Sequence, residues 1–285
     1  MERKNKNKVV KVSNLAPFDL GLKPVKSRKV YGIDDIVNIP NCNGAGECCC
    51  GVKLMVEPSD VWRIMNNKRA CEKLGIKTTM DLYNEDPEKA ILAYSVTGPD
   101  ADPMCVAVLK EKAHGLYKVC PFLEKKDEGY ECILGADKLT TCKTTPIGRT
   151  IVRETGEWGY VVTDAFCKEC PKSQERIDVR IEHWLKEHGM EDRYRQTEMW
   201  NGCIMWIKTK AKDELYKRLA VLVGYDWQRV PAEGANMSVE ESVKHMPGSP
   251  EELLQSIGRT VELAMEESRK QEKTDEDTSE GNTKN

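Results

Sequence analysis

The sequence predicts an α+β protein: a small, irregular cysteine-rich core of short strands, hairpins and helices, followed by C-terminal helices. Three observations lead there. Four of the twelve cysteines crowd into the nine residues Cys42-Asn-Gly-Ala-Gly-Glu-Cys48-Cys49-Cys50. Short β-like runs between about 52 and 163 are punctuated by Gly and Pro, the pattern of hairpins and tight turns. From about residue 173 the apolar residues recur at helical spacing instead.

Composition narrows the class. The chain has 285 residues, 39% hydrophobic and 32% charged, with a net charge of −3. That balance gives no global field pointing to nucleic acid or membrane. Aromatic residues make up 6%, and only three are Phe. Such a core gains from support beyond side-chain packing, and a metal centre supplies it. The N-terminal stretch Met1–Lys8 is charged and no apolar segment follows it, so it does not read as a signal peptide. No run of 18 or more apolar residues is present to span a membrane. The chain is accordingly read as cytoplasmic, where thiols stay reduced, so the cysteines point to metal rather than to a disulfide framework.

In chain order, residues 1–38 form a basic, flexible arm. Its first 30 residues hold nine Lys or Arg against Glu2 and Asp19. Phe18 alone among the aromatic residues falls within these charges, too sparse an interleaving for a nucleic-acid surface, so a solvated arm is expected. A cysteine-cluster domain is expected over 39–172. It opens with an apolar lead-in, Ile33 to Pro40, and the Gly-rich cysteine loop. A strand is expected over Val52–Val56 and a helix from Asp60, capped by Ser59. Cys71 and Leu74 belong to a helical turn ending at Gly75. Helix is also expected over Thr78–Tyr83 and Pro87–Leu92. Strands at Met104–Lys112 and Leu116–Val119 precede a hairpin with Cys120 and Cys132 at its two ends. A helical turn at Ala136–Leu139 comes before Cys142, and a second hairpin joins Arg149–Arg153 to Tyr160–Thr163.

A helical extension is expected over 173–230. It has three amphipathic stretches, marked by Ile177, Ile181, Trp184 and Leu185, by Trp200, Ile204 and Ile207, and by Leu215, Leu219, Leu222 and Val223. Residues 231–249 read as a linker. Ser249-Pro250-Glu251-Glu252 supplies an N-cap, a proline in the first turn and a glutamate at the third position. The amphipathic helix it opens covers 250–270, with Leu254, Ile257, Val261 and Met265 on one face. Residues 271–285 are polar and charged and read as a disordered tail.

The chemistry lies in the cysteines. Adjacent cysteines cannot close an ordinary disulfide, because their Cα atoms sit only about 3.8 Å apart. Thiolates crowded on a Gly-rich loop are ligands suited to a soft metal or an iron–sulfur cluster. The candidate metal ligands are Cys42, Cys48, Cys49, Cys50, Cys120, Cys132, Cys142, Cys167 and Cys170. Cys167-Lys-Glu-Cys170 fits a metal clip better than a redox dithiol, since no thioredoxin-like βαβ pattern surrounds it. Cys71, Cys105 and Cys203 read as packing residues, and His183 and His188 as ordinary helix residues. Walker A, G-x-S-x-G, H-E-x-x-H and dinucleotide-binding patterns are absent, and so is the radical S-adenosylmethionine cysteine run.

Taken in order, these motifs resemble the CxxCxxCC cysteine-cluster family, the zinc- or iron-chelating domain of YkgJ-like proteins. Cys42-Asn-Gly-Ala45-Gly46-Glu-Cys48-Cys49 resembles its first motif and Cys120-Pro-Phe-Leu123 its second. Gly129-Tyr-Glu-Cys132-Ile resembles the third, and Cys142 followed by Pro146 the fourth. The resemblance spans about residues 40–172. Ala45 stands where the family has its second cysteine, Cys50 is an additional thiol, and Lys138-Leu139 stand in place of Arg-Pro.

Both metals stay open. Zinc takes four ligands in a closed tetrahedron. A [4Fe–4S] cluster also takes four thiolates, and the Cys-Pro steps at Cys120 and Cys170 favour it. The leading expectation is a cysteine-cluster protein binding an iron–sulfur cluster or zinc, with a redox or electron-transfer role and an unidentified redox or protein partner. Through the same resemblance, one alternative is an enzyme related to the cysteine-cluster lysine N-methylases, which use S-adenosylmethionine. Another is a non-catalytic structural-zinc module that docks a partner through the last helix.

Overall fold

Strand pairing in this chain is antiparallel throughout the described residues. The structure, a computed structural model, describes residues 9–10, 28–41, 47–49, 54–86, 88–97, 104–114, 117–127, 129–152, 157–163, 175–210 and 247–281. Over these the architecture is α+β, with several small sheets and seven α-helices, the last of them long and C-terminal.

β1 (Val9–Val10) pairs with β2 (Arg28–Lys29). β3 (Ile36–Pro40) waits for a distant partner, β13. After a short 3₁₀ turn at Glu47–Cys49 come β4 (Met55–Val56), α1 (Pro58–Asn66), α2 (Lys68–Leu74) and α3 (Thr79–Leu82). α1 starts at Pro58 rather than Asp60, because proline suits a first turn whose N–H groups have no intrahelical partner. Asn67 caps α2 through Ala70 N–H, and Gly75, at φ +68°, closes it in the left-handed region. β5 (Leu92–Thr97) and β4 flank β6 (Met104–Leu109) in a three-stranded sheet. The helix expected over Pro87–Leu92 is not formed: a turn at Asp86, held by Lys89 and Ala90 N–H groups, feeds directly into β5.

β7 (Lys112–His114) and β8 (Tyr117–Val119) form one hairpin, and β9 (Leu123–Lys126) and β10 (Gly129–Cys132) the next. The helical turn expected at Ala136–Leu139 is a 3₁₀ turn at Gly135–Asp137, followed by α4 (Thr140–Thr144). β11 (Ile147–Ile151) pairs with β12 (Trp158–Val162). β13 (Arg176–Arg180) then returns to β3, placing Ile177 opposite Ile39 and Val179 opposite Val37. The amphipathic helix expected to include Ile177 therefore begins only at α5 (Ile181–Glu187). β-branched residues alternating at 177 and 179 suit a pleated ladder better than a helix.

α6 (Met190–Lys210) and α7 (Pro250–Gly281) follow. Ser249 Oγ accepts from Glu252 N–H at 3.1 Å, as an N-cap should, while the Glu252 carboxylate reaches one residue further back and accepts from Gly248 N–H at 2.8 Å. α7 continues through Gly281 and so covers most of the segment that reads as a disordered tail. Its Leu254, Ile257 and Val261 are buried against α1 and α6. The apolar face that the interaction-module alternative needs exposed is thus used internally. The amphipathic stretch expected over 215–223 and nearly all of the 231–249 linker lie outside the described residues.

Two cores result. The larger is aliphatic and gathers Val61 and Ile64 of α1, Leu82, Leu92, Leu109, Phe122, Leu134 and Leu139. Cys120 belongs to it, and Cys49, Cys71, Cys132 and Cys142 pack against it. The second joins Val37, Ile39, Ile147 and Tyr160 to Ile181, Trp184, Leu185, Met190 and Tyr194. It crosses residue 172, so α5 and α6 share a core with β3 and β11. No helix among the described residues is long and apolar enough to cross a membrane.

Candidate functional site

Four separate chain segments deliver cysteines to one cavity of about 440 Å³. The 3₁₀ turn brings Cys48 and Cys49, and the carbonyl oxygen of Cys49 accepts from Cys120 N–H at 2.8 Å. Cys120 in turn accepts from Leu123 N–H at 3.0 Å, which starts β9. The β9–β10 register sets Cys132 opposite Leu123, and Ile133 N–H donates to Phe122 at 2.8 Å. The hairpin thereby returns Cys132 to the neighbourhood of Cys120, as its two-ended cysteine pattern leads one to expect.

Cys142 arrives on α4, and a buried polar network fixes that helix. Asp60, 1% exposed, accepts at Oδ1 from both the N–H and the Oγ1 of Thr140, at 2.9 and 2.8 Å. The same oxygen accepts from Arg63 Nη1 at 3.0 Å, with Arg193 Nη1 at 3.9 Å. Gln196 Oε1 accepts from Arg63 and ties the network to α6. The loop before α4 is held by Asn67, which donates to Leu134 O at 3.0 Å, and by Arg193, which donates to the carbonyl oxygens of Lys138 and Ala136.

Cys48, Cys49, Cys120, Cys132 and Cys142 all line the cavity. Each is a thiol rather than half of a disulfide, as are Cys71 and Cys203. They also act on one another electrostatically. A hydrogen bond with Cys48, then burial, then the neighbouring Cys48, Cys120 and Cys142 push the Cys49 thiol far up. Burial raises Cys120 to about 12, with Cys132 and Cys48 adding to it. Burial also raises Cys142, assisted by Cys120, Asp60, Cys132 and Cys48, and it raises Cys132. These shifts describe thiols that resist ionising together in a low-dielectric pocket. A cation among them reverses the balance, which is how metal sites deprotonate cysteine.

Among the described residues, no three His, Cys, Asp or Glu side chains are grouped as ligands of a metal ion. Cys42, Cys50, Cys167 and Cys170 lie outside the described residues. The described thiols are soft donors that line one cavity, and by donor chemistry they suit a soft metal. Cys71 hydrogen-bonds to the carbonyl oxygens of Ile64 and Met65 and lies against the larger core, the packing role expected of it. His188 stacks on Trp184 with ring centroids 4.1 Å apart.

The cavity also has a polar wall that no sequence motif marks. Arg149 of β11, Trp158 of β12 and Tyr194, Thr197 and Asn201 of α6 line it, together with Glu57. Thr197 Oγ1 donates to Glu57 Oε2 at 2.8 Å. Burial, then the charge of Asp60, raises the Glu57 carboxyl to about 8, against opposing contributions from Thr197 and Arg63. A usable sign was present in the spacing 194, 197 and 201, which sets three polar residues on one helical stripe.

The fold and site thus define an α+β protein with a thiol-lined cavity. A scan against protein-family models finds no match, and comparisons with curated proteins and with solved structures find none either.

Proposed function

We propose that the protein is a cytoplasmic cysteine-cluster metal protein, holding an iron–sulfur cluster or zinc in this cavity and related to the YkgJ-like CxxCxxCC domains. One observation carries the reading: five cysteines from four chain segments face one cavity and perturb one another's ionisation. Cys120 and Cys132 are offered by a hairpin, and Cys142 by a short helix whose first residue, Thr140, is buried and held by Asp60. Cys48 and Cys49 come from the loop that also carries Cys42 and Cys50. Crossed by the Cys49–Cys120 hydrogen bond, this loop and the hairpin are held as a pair. An iron–sulfur cluster bound there supplies one-electron chemistry, whereas zinc supplies structural closure. The apolar wall formed by Leu54, Leu109, Phe122 and Leu134 limits water near the buried Cys120, which would tune such a centre.

The test is anaerobic purification followed by iron, zinc and acid-labile sulfide analysis and an absorption spectrum. Stoichiometric iron with sulfide, or stoichiometric zinc in colourless protein, supports the reading and names the metal. Protein that is fully folded and metal-free after reconstitution with either metal refutes it. Titration calorimetry with S-adenosylmethionine separates this reading from the methylase alternative.

A further inference from the structure

We infer that the polar wall of the cavity is a binding site for a small organic monocarboxylate with an apolar body. Arg149 is the anchor. Its guanidinium lies over the Trp158 ring at 3.7 Å and over the Tyr194 ring at 4.7 Å. Such a sandwich fixes the plane of the fork and strips water from its faces. One side-chain nitrogen, Nη2, pairs with Glu198. Nε and Nη1 are buried and find no acceptor among the described residues. The side chain as a whole is 14% exposed.

Two more unsatisfied groups share the wall. Tyr194, 9% exposed, has a buried hydroxyl with no partner among the described residues. Asn201 Oδ1 is likewise buried and unpartnered, two helical turns further along α6. Thr197 lies between them and is already committed to Glu57. Leaving such donors and acceptors dry is costly, so four atoms around one cavity call for a ligand that supplies their partners.

The complementary chemistry follows from the inventory. Three donor groups, two of them on a cation, call for an anion with more than one acceptor oxygen, and a carboxylate meets a guanidinium with charge-assisted bonds. The wall brings one cation, already shared with Glu198, so a singly charged group suits it better than a phosphate dianion. Asn201 Oδ1 accepts from a hydroxyl or amine on the same ligand. Leu54, Met55, Leu109, Phe122 and Leu139 give the same cavity an apolar face, beside its thiols, threonines and Lys138, and that face matches an apolar body; about 440 Å³ lies within the usual range of small-molecule sites, roughly 300–1,000 Å³. This site goes beyond the metal reading and stands without it, since none of its groups is a thiol.

The experiment is titration calorimetry of the full-length protein, its metal content measured beforehand, with hexanoate, 3-phenylpropionate and phenyllactate, and with the primary amide of each. At least one carboxylate should bind, and its amide about tenfold or more weaker. Tyr194→Phe should weaken carboxylate binding about fivefold while leaving the unliganded melting temperature unchanged or higher, because the lost hydroxyl has no protein partner among the described residues. Arg149→Lys should abolish the preference for carboxylate over amide. No binding of any of the three acids at millimolar concentration overturns the proposal, as does equal affinity for acid and amide, or Tyr194→Phe binding unchanged. Metal-free protein that still binds the acid, and metal-loaded protein that does not, each fail one proposal and leave the other standing.

Discussion

The backbone N–H of Cys120 donates to the carbonyl oxygen of Cys49 at 2.8 Å, although 71 positions of sequence separate them. This bond joins the loop that carries the dense cysteine run to the hairpin that carries Cys120 and Cys132. The bond holds these two candidate ligand segments in register. Four expected outcomes follow from this arrangement and from the groups around it.

Removal of individual sulfurs should separate ligands from packing residues. Cys120→Ser and Cys142→Ser should each lower bound metal to well under half of the wild-type stoichiometry. Cys71→Ala and Cys203→Ala should leave it unchanged, since Cys71 bonds to helix carbonyls and Cys203 lies beside Gly258 of α7. Cys71→Ala should still cost roughly 1 kcal/mol of stability through lost packing. Metal analysis beside urea unfolding reads both effects.

Asp60→Ala should be among the most damaging single changes. It removes the acceptor of Thr140 N–H and Oγ1 and leaves Arg63 and Arg193 buried without their counter-charge. Loss of one partner from a buried ionic cluster costs about 3–5 kcal/mol. Because α4 carries Cys142, metal content should fall as well. Thr140→Val removes only the hydroxyl contact and should cost about 1 kcal/mol. Urea denaturation of the two variants provides the comparison.

Glu57 gives a pH dependence with a definite sign. Its carboxyl is raised from the ordinary 4.5 to about 8 by burial and by the charge of Asp60. The folded protein therefore binds the proton more tightly than the unfolded chain does. The stability tied to protonated Glu57 is complete below 4.5 and is lost as pH rises toward 8. Glu57→Gln keeps an acceptor for Thr197 and removes the titration. Its melting temperature should fall less than that of the wild type between pH about 5 and pH about 8. Equal slopes in thermal unfolding across this window contradict the assignment.

α7 should depend on its cap and on its buried stripe. Ser249→Ala removes the acceptor of Glu252 N–H and should cost about 1 kcal/mol. Leu254→Ala, at a position 1% exposed, should cost about 2–5 kcal/mol. Loss of α7 also frees the carbonyl oxygen of Pro247, which accepts from Trp62 Nε1 at 2.7 Å. Trp fluorescence and hydrogen exchange over 250–261 follow the release.

Much of the fold was legible because local pattern decided it. Ser249-Pro250-Glu251-Glu252 announces α7, Gly75 ends α2, and Cys120 and Cys132 mark the two ends of a hairpin. The misses have a common cause in non-local pairing. Ile177 fits a helical face with Ile181 and Trp184, yet its ladder partner Ile39 lies far back in the chain, and no local signal reports it. Leu254, Ile257 and Val261 show an apolar stripe, but only the packing of α1 and α6 reveals that the stripe is covered.

The site divides in the same way. Cysteine spacing pointed to Cys48, Cys49, Cys120, Cys132 and Cys142, which the fold brings to one cavity. Asp60, Arg149 and Tyr194 carried no motif. Asp60 matters through a bond to Thr140, and Arg149 through two rings from different elements. Such groups gain meaning only when distant segments are superposed in space.

X-ray absorption at the edge of the bound metal tests the central claim most directly. Anaerobically prepared protein should show a first shell of sulfur alone, with four scatterers near 2.3 Å whether the metal is zinc or cluster iron, and Cys120→Ser should lose or rearrange that shell. A first shell of nitrogen and oxygen only, or a sulfur shell untouched by Cys120→Ser, contradicts the account.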